Sequence, residues 1–494
     1  MAHDVIVIGG GGAGMSAAHS AREQGASVLV LERAPADRRG GNTAFASGTF
    51  RMVHHGAPDI KAVVPDLTDD EIVRTDFGQY SAGDYFDDLG RITQYAIDPD
   101  LAEVLVYNSA DTVRWLQQRG VRFLPNYGRQ AYKIDGRFKF FGGSVIYANG
   151  GGEGLMDAHF KAAERSGIEI RYNARGTDLL QGEHGIEGVR ALVDGKTHEF
   201  RARAVVLASG GFEANREWRT RYLGPGWDMA KVRGTRYNTG DGLRMALEVG
   251  AQPFGQWSGC HSCAWERNAS DFGSVDTRHN GFRHSYPFGI VVNSHGNRFL
   301  DEGADFRNFT YAKYGRVILQ QPGGYAWQVF DAQVKHLLRD EYGMGGATRV
   351  QADTLEGLVA KMQDVDAGQF ERTVAAYNAA IARDIPFNPN AKDGRRTRGL
   401  EVDKTNWASA LEVPPFEAYS VGCGITFTFG GVKIDTTARV LDIDDQPLTG
   451  LYAAGEMVGG IFYFNYPGAS GLMSSAVFGR IAGREASNFS RRSS

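Results

Sequence analysis

The apolar positions of this chain fall in short unbroken runs that end in glycine or a carboxylate. Val5-Ile6-Val7-Ile8 leads into Gly9-Gly10-Gly11-Gly12-Ala13-Gly14, and Val28-Leu29-Val30-Leu31 ends on Glu32. Ala204-Val205-Val206-Leu207 runs into Ala208-Ser209-Gly210-Gly211-Phe212. Runs of this length without polar alternation read as strands buried on both faces, the habit of parallel sheets. Between the first two, a helix is predicted up to Gln24, with Gly25 ending it. Strand, turn, helix and strand in that order predict an α/β fold built on a βαβ unit.

The glycines have a mechanical reading. Gly9, Gly11 and Gly14 stand at G-x-G-x-x-G spacing directly after a strand. Gly9 permits the tight turn, Gly11 lets the backbone approach a pyrophosphate, and Gly14 lets the helix pack on the sheet. The helix N-terminus adds free N–H groups and partial positive charge. Glu32 is placed to accept ribose hydroxyls. A second cluster, Gly150-Gly151-Gly152-Glu153-Gly154, precedes a predicted helix from Leu155 to Ser166. The strand after it, Ile168 to Tyr172, does not end on a carboxylate, so one dinucleotide site is expected and no separate NAD(P)H domain.

From about Ala251 to Tyr419 the βα rhythm gives way to aromatics, His, Arg and turn residues. The expected division is a nucleotide-binding domain over 1–250 and 420–494, with an inserted domain over 251–419. Within the insert, Pro386 to Lys392 reads as a surface loop.

Composition narrows the class. With 494 residues there is room for two or three domains. A net charge of -4 gives no footprint for nucleic acid. No apolar run reaches the length of a membrane span, and the first strand starts too early to leave room for a leader. Three cysteines make no disulfide framework, and no Fe–S or haem motif occurs. A soluble cytoplasmic protein is the expectation.

Two further segments bring in a resemblance. Gly450-Leu451-Tyr452-Ala453-Ala454-Gly455-Glu456 looks like the closing segment of FAD-dependent oxidoreductases, and Arg39-Gly40-Gly41-Asn42-Thr43-Ala44 follows the second strand. With the run from Ala204 to Phe212, they resemble FAD-contacting segments of the fumarate reductase and succinate dehydrogenase flavoprotein superfamily. The resemblance covers nearly the whole chain. It implies a Rossmann-like FAD-binding domain of the glutathione-reductase/fumarate-reductase type with an inserted α+β cap domain closing over the flavin. It implies FAD contacts from Gly9, Gly11, Gly12, Ala13 and Gly14, and from Glu32 and Arg33. Gly41, Asn42, Thr43, Ser47 and Gly48 follow, then Ala208, Ser209, Gly210 and Asp241. Gly455, Glu456, Ser470, Gly471 and Leu472 complete the set. Covalent members attach FAD through a His where this chain has Asn42, so non-covalent FAD is expected.

The resemblance also implies a site. Gln256 to His261 resembles the stretch whose His binds a substrate carboxylate in fumarate reductases. Asn297 to Arg307 resembles the Arg-Phe-x-x-Glu segment followed by a catalytic Arg, with Arg298 the alternative to Arg307. Two features depart from fumarate reductases. No His precedes Gly430-Gly431, where Thr426-Phe427-Thr428-Phe429 stands, and Tyr466 replaces a carboxylate-clamping Arg. The form is closer to tricarballylate dehydrogenases, in the Trp-Ser-Gly-Cys-His segment, in Asp301 to Asn308, in Gly424 to Thr428 and in Asn465-Tyr466-Pro467-Gly468. The 3-ketosteroid Δ1-dehydrogenases share mainly the Tyr-Pro-Gly ending.

The implied reaction is α,β-dehydrogenation, or the reverse ene reduction, of a small carboxylate substrate. A hydride goes to flavin N5 and a proton to Arg307 or Tyr466. His261, Tyr466 and the Gly468 N–H are candidates to stabilise charge on the substrate oxygen. Arg283, Thr426, Phe427 and Thr428 join them as candidate substrate contacts. The helix beginning at Ser470-Gly471-Leu472-Met473 is expected to face flavin N1/O2. Reoxidation by a separate electron-acceptor protein is implied.

Plainer readings compete. His261 would serve as a core histidine, Arg307 would pair with Asp305 on the surface, and Tyr466 would be a packed aromatic. Cys260-His261-Ser262-Cys263 lacks a second ligand pair, so no metal is expected. Arg283-His284 either meets an anionic substrate or lies on a solvated loop. A steroid cleft lined by Phe282, Tyr286, Phe427, Phe429, Phe462 and Phe464, and a non-catalytic electron-transfer flavoprotein, are the rival functions.

Overall fold

The computed structural model describes residues 3–274 and 281–492. The apolar runs form the middle of an eight-stranded sheet: β1 (His3–Ile8), β2 (Val28–Leu31), β3 (Glu169–Arg171), β4 (Ala174–Gly182), β5 (Gly185–Val193) and β6 (Lys196–Leu207), with two later strands. The order is β4-β5-β6-β1-β2-β3. β6 is long enough to pair twice. Its first half closes a meander with β5, and its second half runs parallel to β1. Helix α1 (Gly12–Glu23) connects β1 to β2, and Gly25 follows it at φ +88°. Helix α2 (Gly151–Ser166) leads to β3 and starts four residues before the predicted Leu155, because Gly150 turns the chain at φ +76°.

A six-stranded second sheet holds the other half of the site. Its strands are β7 (Lys231–Val232), β8 (Cys260–Glu266), β9 (Ile290–Val292), β10 (Tyr325–Phe330), β11 (Arg349–Ala352) and β12 (Phe416–Thr428). Helix α3 (Asp241–Glu248) follows β7, and helix α4 (Tyr311–Leu319) packs on β8. β12 is the centre of this sheet and pairs with β7, β8, β10 and β11. The sheet therefore begins at Lys231 and ends at Thr428, so it reaches past both of the boundaries expected at 250 and 419.

The chain then returns to the first sheet. β13 (Arg439–Leu441) and β14 (Pro447–Ala453) follow, and Leu207 pairs with Ala453 beside its pairing with Ile8. The parallel strands β1, β2, β6 and β14 thus end along one edge, the edge where open α/β sheets bind ligands. Helix α5 (Ser470–Arg492) crosses α1 closely. A Cβ on Gly483 would stand 2.0 Å from the Ala17 carbonyl oxygen, so only glycine allows this approach.

Candidate active site

A cleft of about 1600 Å³, partly open to solvent, runs along that edge. At one end Glu32 is buried, and its carboxylate accepts from the Gly10 N–H at 2.7 Å and the Ala34 N–H at 2.6 Å. Asp241 holds Arg33 and Arg175 beside it at 2.9 and 2.6 Å. Burial alone would raise the Asp241 carboxyl; the arginines win and hold it below its ordinary value. The Thr43 hydroxyl accepts from the Gly12 N–H at 3.0 Å. With Gly10 and Gly12 engaged, Gly11 and Ala13 present their N–H groups at the open start of α1. Gly14 does not line the cleft; its Cβ would strike the Gly9 oxygen at 1.9 Å, so it serves helix packing.

The other end joins the two ends of the chain. Gly455 sits at φ +73°, and a Cβ there would meet Ala13 at 2.6 Å. Ala208, Ser209, Gly210, Glu456, Gly471 and Leu472 line the cleft together with Gly41, Asn42, Thr43 and Ser47. A long channel with a ribose-reading carboxylate, open helix amides and a broad far end fits an extended dinucleotide such as FAD. Two expected contacts differ. Gly48 packs on α2, its Cβ position 2.7 Å from Gly151, and does not line the cleft. Ser470 is fully buried with its hydroxyl on Tyr85 at 3.1 Å, so the start of α5 meets the cleft through its neighbours.

Asn42 is held on every side. Its amide donates to Glu213 at 2.5 Å and to the Thr426 carbonyl at 2.6 Å, and its oxygen accepts from the Thr235 N–H at 2.8 Å. Glu213 in turn faces Glu456. Both carboxyls are pushed up, first by burial, and for Glu213 next by the Glu456 charge. Sequence reasoning named Glu456 and missed Glu213, which no motif flags.

At the broad end, β8 and β12 place His261 opposite Phe427, and their rings stack at 5.3 Å. The Tyr466 and Tyr311 hydroxyls meet at 2.5 Å, each ring 5.0 Å from His261. All of these line the cleft, as do Thr426 and Thr428. Burial and the Arg233 charge hold His261 well below its ordinary value, so the ring is neutral. Burial raises Tyr466 and keeps it a phenol.

A small side chamber adjoins the cleft, with Ser47, Thr49, Arg233, Tyr311 and Ala469 lining both. Arg307 lines the chamber and lies at the start of a 3-10 turn, Arg307–Phe309. Burial, and then Arg339, lowers it to about 9. Asp305 pairs with Arg91 at 2.6 Å rather than with Arg307. Arg298 is locked to Glu302 and lines neither cavity.

Two expected substrate contacts are corrected. Arg283 is fully buried against Glu266 at 2.9 Å and lines neither cavity; its neighbours Phe282 and His284 line the chamber instead. The Gly468 N–H donates to the Asn308 carbonyl at 2.7 Å, because the Pro467-Gly468 turn docks on the Arg307–Phe309 turn. That amide has no hydrogen left for a substrate oxygen. Arg129, Arg233 and Tyr311 were missed. Arg233 stands one residue after a two-residue strand, a position that reads only as loop. Of the steroid-cleft aromatics, Phe427, Phe429 and Phe462 line the cleft, while Phe464 is on the surface. Among the described residues no group of three or more His, Cys, Asp or Glu is arranged for a metal, and the three cysteines are free and buried.

Known proteins are similar to this chain. The probable fumarate reductase Ifc3 of Shewanella frigidimarina is 30% identical over 98% of this chain and 74% of its own. An open-conformation flavocytochrome c3 fumarate reductase superposes with a TM-score of 0.73 at 27% identity, covering 99% of this chain and 78% of that one. The 3-ketosteroid Δ1-dehydrogenase of Sterolibacterium denitrificans has a TM-score of 0.75 at 21% identity, over 99% of both chains, a likeness of fold alone. The FAD binding domain family model covers residues 4–472, from the first strand to the start of the last helix. The chain belongs to that family, and it is an FAD-dependent oxidoreductase of the fumarate-reductase type.

Proposed function

We propose that this protein interconverts a saturated small carboxylate and its α,β-unsaturated counterpart, with a tricarballylate-like substrate. The carrying observation is the juxtaposition of the His261–Tyr311–Tyr466 cluster with Arg307 across the cleft and chamber. Bound FAD supplies a hydride acceptor or donor at N5. Arg307 moves the α-proton: burial and Arg339 bring it to about 9, within reach of neutral form, whereas burial makes Tyr466 a poorer base than free tyrosine. Of the hydrogen-bonded Tyr466–Tyr311 pair, the hydroxyl that accepts from the other keeps its own proton to donate to the substrate oxygen as charge develops there, and neutral His261 fixes their ring positions and offers a further hydrogen bond. Asn42, committed by three hydrogen bonds, holds the flavin-facing loop without a covalent link. A separate protein accepts the electrons.

Anaerobic titration of the holoprotein tests the reading. Tricarballylate should bleach the oxidised-flavin band, and a 3-ketosteroid should leave it unchanged. Bleaching by the steroid alone would sink the carboxylate assignment and make Phe427, Phe429 and Phe462 a steroid wall.

A further inference from the structure

Arg129, Arg233 and Arg307 enter the side chamber from three separate segments. Arg233 and Arg307 are 8% and 9% exposed, and each has an Nε without an acceptor. Among the described residues neither has a carboxylate within ion-pair distance. Among the described residues the Arg233 side chain meets neutral partners, the Thr426 hydroxyl at 3.3 Å, the Cys263 sulfur at 3.7 Å and the Phe282 and Trp265 rings at 4.2 and 5.9 Å. Arg307 donates to the Arg129 carbonyl at 2.5 Å. Arg129 does have a carboxylate, Glu341, but Arg339 adds a further cation behind it by donating to the Gly128 and Arg129 carbonyls. His284, on the same wall, is held neutral by burial and these arginines. The chamber therefore carries positive charge that no carboxylate among the described residues pairs at Arg233 or Arg307.

A buried charge without a partner is costly and is kept where a ligand answers it. The dinucleotide's phosphates do not answer this one, since none of Gly9 to Gly14 lines the chamber. We propose that the chamber is a second anion subsite, holding on Arg129 and Arg233 a substrate carboxylate other than the one beside the carbon whose proton Arg307 moves. Arg233, lining both chamber and cleft, reads whether the substrate has that extra charged arm. The enzyme thereby selects tricarboxylates over dicarboxylates of similar reactivity. The assignment to substrate rests on the proposed dehydrogenation; the anion subsite stands on charge and geometry alone.

The test uses FAD-loaded wild type, Arg233→Met and Arg233→Lys, with flavin absorbance confirming the intact site. Arg233→Met should raise the KM for tricarballylate by about 100-fold and that for succinate by less than about 3-fold, with Arg233→Lys between. Equal losses on both substrates, or none on either, would overturn the subsite. Sulfate, followed by its perturbation of the flavin spectrum, separates the two readings. If no carboxylate bleaches the wild-type flavin, the proposed reaction fails. The subsite is then upheld if Arg233→Met weakens sulfate binding by about 100-fold, and overturned if sulfate binds both proteins alike or neither.

Discussion

At Arg307, burial and like charge act on a single proton. A guanidinium lowered to about 9 is mostly protonated at neutral pH, so the fraction able to take a proton grows as pH rises. Dehydrogenation should therefore speed up toward about pH 9 and level off, while ene reduction, which needs the protonated form, should slow over the same range. Rate–pH profiles in both directions check the sign, and Arg307→Met should lower kcat by about 100-fold or more. Glu213 gives the opposite case of a carboxyl raised by burial and by Glu456. Between the ordinary carboxyl range near 4.5 and its raised folded value, the native state binds more protons than the unfolded one. Stability then falls as pH rises through that window. Glu213→Gln keeps the shape without the charge and should flatten the fall; melting temperatures followed upward from the ordinary carboxyl range would show it. His261 and Tyr466 were legible because motif neighbours flagged them. The choice between Arg283 and His284 was not, because adjacent residues face opposite ways and only the bridge between Trp265 and Phe282 fixes which turns inward.

Elements decide what the residues can do. β12 is thirteen residues long, and its last turn-free stretch delivers Thr426, Phe427 and Thr428 to the cleft after its first part has paired inside the other half of the sheet. The domain boundary expected near 419 from the loss of βα rhythm falls inside this strand. The βαβ start was legible to within a residue, since α1 ends at Glu23 beside the predicted Gln24. The α1–α5 crossing was not, because the sequence does not say which helices meet. Gly483→Ala would gain about 1 kcal/mol of helix propensity. It would also press a Cβ to 2.0 Å from Ala17 oxygen, a backbone clash that side-chain rotation cannot relieve. The clash should win by about 2 kcal/mol, read as a lower denaturation midpoint together with reduced FAD content.

Over the whole molecule, one continuous apolar core runs from Val5 to Ala486 and links the first strand, the second sheet and the last helix. A smaller core around Trp327, Phe370 and Tyr377 stands behind β10 and β12, away from the cleft. Among the described residues no helix is long and apolar enough to cross a membrane. The arginine-lined chamber belongs to this scale too, since its charges come from segments far apart in sequence and no local pattern announces their meeting. The contact of Gly455 with Ala13, which joins early and late segments of the chain at one end of the cleft, carries a consequence for biogenesis. A ribosome finishes the fingerprint long before it makes the wall that completes the flavin end, because the inserted sheet lies between them. Cofactor capture therefore waits until β14 and the start of α5 have emerged, and a nascent chain stalled before β14 would expose the pyrophosphate loop while holding no flavin.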